Sequence, residues 1–393
     1  MNTQMRSPYH FMIKFVLYRI SVLAVLSLIL AGCSTSSILQ TPTPTPTPPR
    51  LVIESEAINR LDAKLAQMTQ DGTFSGSVLI AQDGKILLSQ GYGLADRLQG
   101  IPNTPQTRFH IGSMTKMFTA LGILILQSQG KLSVNDPICN FFTDCPKEWQ
   151  DITIHHLLTH TSGLSGQLSN QLYRKIEGGT SGPVAPTEQA RYLGLSSQWT
   201  LDTPPGEQYA YNNFGYILLA HIIEKVSGQP YIDYLNQAIF TPLKMRNTGY
   251  QDNSSEVAKL YDDHMSTIER QVGSPPVSEG SGQMYSSAED LFLLDQALYT
   301  NQLLPKSELD RMFEPYVPQS YTPGFASGYG WVLGETRGQP IVAGAGGGGE
   351  SPFGTLIVRF PQDRLTVIVL ANQYIDQLYF WGMISAELFG GSQ

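Results

Sequence analysis

Phe109-His110-Ile111-Gly112-Ser113-Met114-Thr115-Lys116 leads into Met117-Phe118-Thr119-Ala120-Leu121-Gly122-Ile123-Leu124-Ile125-Leu126, a run that is apolar on most faces. That pattern predicts a buried helix over Met114 to Gln129, with Gly130 as its stop. If Ser113 opens this helix, Lys116 shares its face, so the amine can approach the hydroxyl. A serine hydroxyl is a weak nucleophile and needs a neighbouring base. Lysine can be that base when burial or nearby positive charge lowers its pKa. The amide groups at the helix start also favour developing negative charge. Ser-x-x-Lys alone describes many helix caps followed by a surface lysine. Here Lys116 is set among Met117, Phe118 and Leu121, an odd place for an unpaired cation.

On the N-terminal side, Glu54 to Thr69 carries Ile58, Leu61, Leu65 and Met68 at helical spacing. Gly76 to Ala81 and Ile86 to Gly93 flank Gln82-Asp83-Gly84-Lys85, a β-hairpin with an Asp-Gly turn. On the C-terminal side, Gly354 to Phe360 and Leu365 to Ala371 flank Pro361-Gln362-Asp363-Arg364 in the same way, and Tyr374 to Gly390 reads as a helix. Between them, Phe214 to Val226 is a second apolar helix. Strands at both ends with a helical middle predict an α+β fold: an antiparallel sheet flanked by helices, with a mainly helical subdomain.

The second chemical element is Tyr211-Asn212-Asn213, after Pro204-Pro205-Gly206-Glu207. A tyrosine passes protons only if its phenolate is stabilised, which Lys116 could do. Asn213 offers an acceptor and a donor, for Lys116 or for a substrate amide. Equally, either asparagine could cap the helix beginning near Phe214, with Tyr211 packed in the core.

Together with their flanks, these elements resemble the serine β-lactamase-related family, which includes class C β-lactamases, D-alanyl-D-alanine carboxypeptidases and related esterases. The resemblance runs through Phe109 to Lys116 and through Ile152-Thr153-Ile154-His155-His156-Leu157-Leu158-Thr159-His160-Thr161-Ser162-Gly163-Leu164. It continues in Pro205-Gly206-Glu207, Tyr211 to Asn213, Glu224 to Gly228, Thr241 to Met245 and Gly280 to Ser286. It implies a β-lactamase/transpeptidase-like fold and an acyl-enzyme on Ser113, with Lys116 and Tyr211 sharing acid and base work. It further implies that Asn213 orients substrate, and that the Ser113 N–H forms an oxyanion hole with a strand near Gly347 and Gly348. No cofactor or metal enters that chemistry.

The third family motif supplies Lys or His, a small residue and Gly. The matching register here is Ala345-Gly346-Gly347, with alanine in the basic position and no Lys or His between Gly338 and Arg359. Alanine cannot oppose a substrate carboxylate, and Glu350 beside the glycines would repel one. The expected substrate is therefore a small acyl ester, amide or peptide, an uncharged ester best of all. A D-alanyl-D-alanine carboxypeptidase or β-lactamase, or a catalytically weakened muropeptide-binding protein, are the alternatives.

The chain of 393 residues is 41% hydrophobic, with 37 glycines, 25 prolines and a net charge of -8. No basic patch interleaved with aromatics appears, which argues against nucleic acid as a partner. Arg6, Lys14 and Arg19 precede an apolar run, Ile20 to Leu30, that ends in Ala31-Gly32-Cys33. This reads as an export signal, since a stable span needs about 20 apolar residues. Leu30-Ala31-Gly32-Cys33 resembles the bacterial lipoprotein cleavage box, which implies lipidation of Cys33 and attachment to the cell membrane on its outer side. Residues 1–32 are thus expected to be the signal, 33–50 a Ser/Thr/Pro-rich spacer and 51–393 the hydrolase domain. Cys139 and Cys145 either form a disulfide around a small loop or stay as free structural thiols. His156 and His160 are expected to hold a loop by hydrogen bonds; the alternative, zinc ligation by His155, His156 and His160, lacks a fourth ligand. Arg97, Arg108 and Glu207 are read as ion pairs or loop supports.

Overall fold

A computed structural model describes residues 49–143, 145–164, 200–250, 257–261, 280–318, 324–347 and 351–390. The predicted signal, Cys33, the spacer as far as Pro48, Gly348 and Glu350 lie outside the described residues. Among the described residues, eight strands form the main sheet: β1 (Gly76–Gln82), β2 (Lys85–Tyr92), β3 (Val317–Pro318), β4 (Ala326–Ser327), β5 (Val332–Thr336), β6 (Gln339–Gly347), β7 (Gly354–Phe360) and β8 (Leu365–Ala371). Their order is β2-β1-β8-β7-β6-β5-β4-β3, antiparallel at each junction. The first and last of these strands in chain order pair with each other, with Gly76 facing Ala371 and Gln82 facing Leu365. Asp83 and Gly84 turn the first hairpin with φ of 54° and 75°, the positive values that match the twist of paired strands.

Every residue of β1, β7 and β8 is buried, so helices must cover both faces. Val78, Ile80, Val367 and Val369 pack against Leu61 and Leu65 of helix α1 (Ser55–Gln70) and against Phe380 and Ile384 of the C-terminal helix. The alternate residues Leu79, Ile357, Ile368 and Leu370 belong to a second core that also takes in α2 (Thr115–Ser128). The same core continues into the helical part through α3 (Ile154–Leu158) and α4 (Asn213–Ser227). Helix α5 (Ala288–Ala297) and the C-terminal helix α6 (Gln377–Phe389) complete the set used below. Helix α6 starts three residues later than the sequence pattern predicts, because Asp376 caps it by accepting from the Tyr379 N–H at 2.9 Å.

Arg359 of β7 and Asp295 of α5 form a buried ion pair at 2.6 Å. The Tyr299, Phe313 and Trp331 rings lie 4.8–5.7 Å from the guanidinium. Cys139 and Cys145 are joined, with sulfurs 2.01 Å apart. Among the described residues no helix is long and apolar enough to cross a membrane.

Candidate active site

Ser113 lies two residues ahead of the α-helix start. Gly112–Met114 is a short 3-10 turn, and α2 proper opens at Thr115. Gly112 takes φ of 51°, and a β-carbon there would come within 2.7 Å of Gly347 N. Glycine at both positions lets the serine turn and the end of β6 touch backbone to backbone. Gly347 thus lies beside the Ser113 turn.

The i, i+3 spacing places Lys116 Nζ 3.2 Å from Ser113 Oγ. Lys116 is almost fully buried, and burial holds its ammonium below the usual lysine range, an effect that Tyr211 partly opposes. Nζ also donates to Asn213 Oδ1 at 2.8 Å and to the Ser281 carbonyl at 2.6 Å. A neutral amine has two N–H groups and one lone pair. In the neutral form, with both protons given to Asn213 and Ser281, the lone pair would be left for the Ser113 hydroxyl. Tyr211 Oη is 2.7 Å from Ser113 Oγ, and Nζ lies 4.9 Å from the Tyr211 ring centroid.

The two readings of Tyr211-Asn212-Asn213 divide between neighbours. Asn212 is the helix cap, its Oδ1 accepting from the Phe214 N–H at 2.9 Å. Asn213, in the first turn of α4, faces Lys116. Tyr211 is 38% exposed, which sets it at the mouth of the site and outside the core.

The third-motif strand differs from the sequence expectation. Ala345 pairs with Leu356, whose side chain packs on the α1 and α6 face. Because side chains alternate along a strand, Ala345 is turned away from α2. Gly344 and Gly346 occupy the face toward the site: a β-carbon on Gly344 would meet Met117 Sδ at 2.8 Å, and one on Gly346 the Ile111 oxygen at 1.9 Å. Either register leaves Gly344 to Gly347 without a cationic side chain. Arg359, the next basic residue, is committed to Asp295.

The three histidines each spend Nδ1 on the surrounding structure. His155 meets Tyr329 Oη at 2.7 Å, His156 accepts from the Thr153 N–H at 3.2 Å, and His160 accepts from the Asn212 N–H at 3.1 Å. Arg97 and Arg108 lie over the Tyr261 and Tyr285 rings, at 4.2 and 5.4 Å. Sequence reasoning placed Gly280 to Ser286 within the resemblance and gave Ser281 no role. Its contribution here is a main-chain oxygen, which carries no side-chain signal. The only hint in the sequence is Gly280, held at φ of 79° under the Tyr216 carbonyl.

The Beta-lactamase family matches residues 61–377, which takes in every one of these site residues. The chain belongs to that family. PbpX of Bacillus subtilis (strain 168), a protein named for penicillin binding, is 32% identical over 67% of this chain, and the match spans 64% of PbpX. The teichoic acid D-alanine hydrolase of Staphylococcus aureus (strain MRSA252) is 26% identical over 79% of this chain and 73% of its own length. Among solved structures, the octameric penicillin-binding protein homologue from Pyrococcus abyssi superposes with a TM-score of 0.71 at 28% identity, covering 84% of this chain and 79% of that one. Membership brings the α+β fold and the serine-hydrolase class. It leaves the acyl group open.

Proposed function

We propose that this protein is a serine hydrolase of the cell envelope that forms an acyl-enzyme on Ser113 and prefers acyl groups without a free carboxylate, small esters first. The observation that carries the reading is the position of Ser113 Oγ, 2.7 Å from Tyr211 Oη and 3.2 Å from Lys116 Nζ. In the first step Ser113 Oγ attacks the carbonyl carbon and its proton passes to the Lys116–Tyr211 pair. That pair returns the proton to the leaving oxygen as the ester bond breaks. Water then attacks the acyl-enzyme, losing a proton to the same pair, and the Ser113 hydroxyl is restored. The Ser113 and Gly347 backbone, meeting at Gly112, supports charge on the tetrahedral oxygen, a contribution typically worth roughly 10²–10³ in rate.

Preference for carboxylate-free acyl groups rests on Gly344 to Gly347, where no side chain can neutralise an anion. The teichoic acid relative supports it, since its name describes release of D-alanine from a polymer. An acyl D-alanine of that kind has its carboxyl tied up in the bond to be cut. The names of both relatives support an envelope location. So does Leu30 to Cys33, from which we derive a mature chain lipidated at Cys33 and set off from the membrane by its spacer. The similarity to PbpX favours a second reading, acylation by penicillin-type substrates, which needs a cation from elsewhere.

An active-serine phosphonate tests the assignment. The label is expected on the Ser113 peptide alone, lost in Ser113→Ala and Lys116→Ala, and slowed in Tyr211→Phe. Equal labelling of Ser113→Ala would overturn the assignment.

A further inference from the structure

His160 is buried, with φ of 58°, a conformation that costs a non-glycine residue energy and is kept where the surroundings impose it. Two hydrogen bonds explain the shape. Its carbonyl oxygen accepts from the Ala210 N–H at 2.8 Å, and its Nδ1 accepts from the Asn212 N–H at 3.1 Å. The two bonds therefore grip the chain on either side of Tyr211. Between them the imidazole lies against the Tyr211 ring, with centroids 4.6 Å apart and planes 37° apart, while Tyr216 backs it at 5.1 Å. Tyr211 follows an irregular segment without a helix or strand of its own, so its hydroxyl direction depends on such supports.

We propose that His160 is a positioning residue for acyl transfer, a clasp that fixes the Tyr211 hydroxyl on Ser113 Oγ through the Ala210 and Asn212 amides and the face of its ring. The inference rests on the hydrolase reading above, with Tyr211 as a proton carrier. The clasp works only with Nδ1 unprotonated. Burial, with Lys116 nearby, keeps His160 neutral by lowering its pKa to about 3. A proton on Nδ1 would set two N–H groups against each other.

The test measures kcat and KM for p-nitrophenyl acetate on the full chain carrying His160→Ala or His160→Asn, each with Tyr211 intact and with Tyr211→Phe. Asparagine tolerates positive φ and offers an acceptor oxygen near the Nδ1 position. With Tyr211 intact, His160→Ala is expected to lower kcat by roughly 10-fold to 100-fold, the scale of a misplaced catalytic group, with KM changed much less. His160→Asn should restore most of the loss. In the Tyr211→Phe background, His160→Ala should cost less than about 2-fold more, because residues acting through one another are not additive. Equal losses in both backgrounds would overturn the clasp and leave His160 as a general support of the fold. So would an unaffected kcat in His160→Ala, or a His160→Asn variant no better than alanine. A wild type that the phosphonate does not label at Ser113, or a Tyr211→Phe variant at full rate, contradicts the hydrolase reading itself.

Discussion

Lys116 Nζ lies 2.6 Å from the main-chain oxygen of Ser281, so the base in this site is oriented by a loop 165 residues further along the chain. That bond and the one to Asn213 Oδ1 direct two N–H groups away from Ser113. Burial lowers the amine's pKa, while the acceptors set where its lone pair points.

Asn213→Asp should therefore move the pH dependence of Ser113 labelling. A carboxylate at the Oδ1 position, 2.8 Å from Nζ, favours the ammonium form and raises the Lys116 pKa, typically by about 1–3 units for an opposite charge at such range. The rising limb of labelling rate against pH is expected to shift upward by that amount, with a lower rate at neutral pH. An unshifted limb would mean that Lys116 does not set it.

Gly280→Ala should damage the same loop. A β-carbon there would approach the Tyr216 oxygen to 2.5 Å and the Ala220 side chain to 2.8 Å, both on α4. The loop must then move off the helix and carry the Ser281 carbonyl away from Lys116. The expected loss is about 1–3 kcal/mol of stability, the usual scale of overpacking, with slower labelling at temperatures where the variant is folded. Urea unfolding and labelling rates measure the two effects separately.

Much of this arrangement is legible in the sequence, and the limits have physical causes. The apolar run from Met117 to Leu126 predicts a buried helix, and the Ser113 to Lys116 spacing puts amine beside hydroxyl, as found. The Asp83-Gly84 turn and the terminal hairpins give the two strand pairs that adjoin in one half of the sheet. Two-residue strands such as Val317–Pro318 are too short for any periodicity. Asn212 and Asn213 have equal chemistry, and only the helix start separates cap from lysine partner. The face of Ala345 depends on its pairing with Leu356, which a single strand's sequence does not contain.

Asp295→Ala should be among the most destabilising substitutions in the sheet layer. It leaves Arg359, 1% exposed, charged without its carboxylate among the Tyr299, Phe313 and Trp331 rings. Removing one partner of a buried pair typically costs about 3–5 kcal/mol, which denaturant unfolding would detect. A change within ordinary surface scatter would contradict the buried-pair description.

Acid should destabilise the wild type partly through His160. Its folded pKa, about 3, lies below the ordinary value of 6.5, so the unfolded chain binds more protons between those values. Its contribution is intact above about pH 6.5 and falls away as pH drops toward 3. His110, His155 and His156 are lowered by burial as well and add to the slope. Subtracting the stability profile of His160→Asn from that of wild type isolates the His160 share, whose pH dependence should be confined to that window and give way to a constant difference above it.

The most direct measurement is the mass of the Ser113 peptide after brief exposure to p-nitrophenyl acetate or to benzylpenicillin. The expected result is an acetyl adduct on that peptide, absent from Ser113→Ala, and a penicilloyl adduct that forms roughly 10-fold to 100-fold more slowly, the scale of one missing charge-assisted hydrogen bond. Penicilloyl formation as fast as acetylation, or acetylation that survives Ser113→Ala, would contradict it.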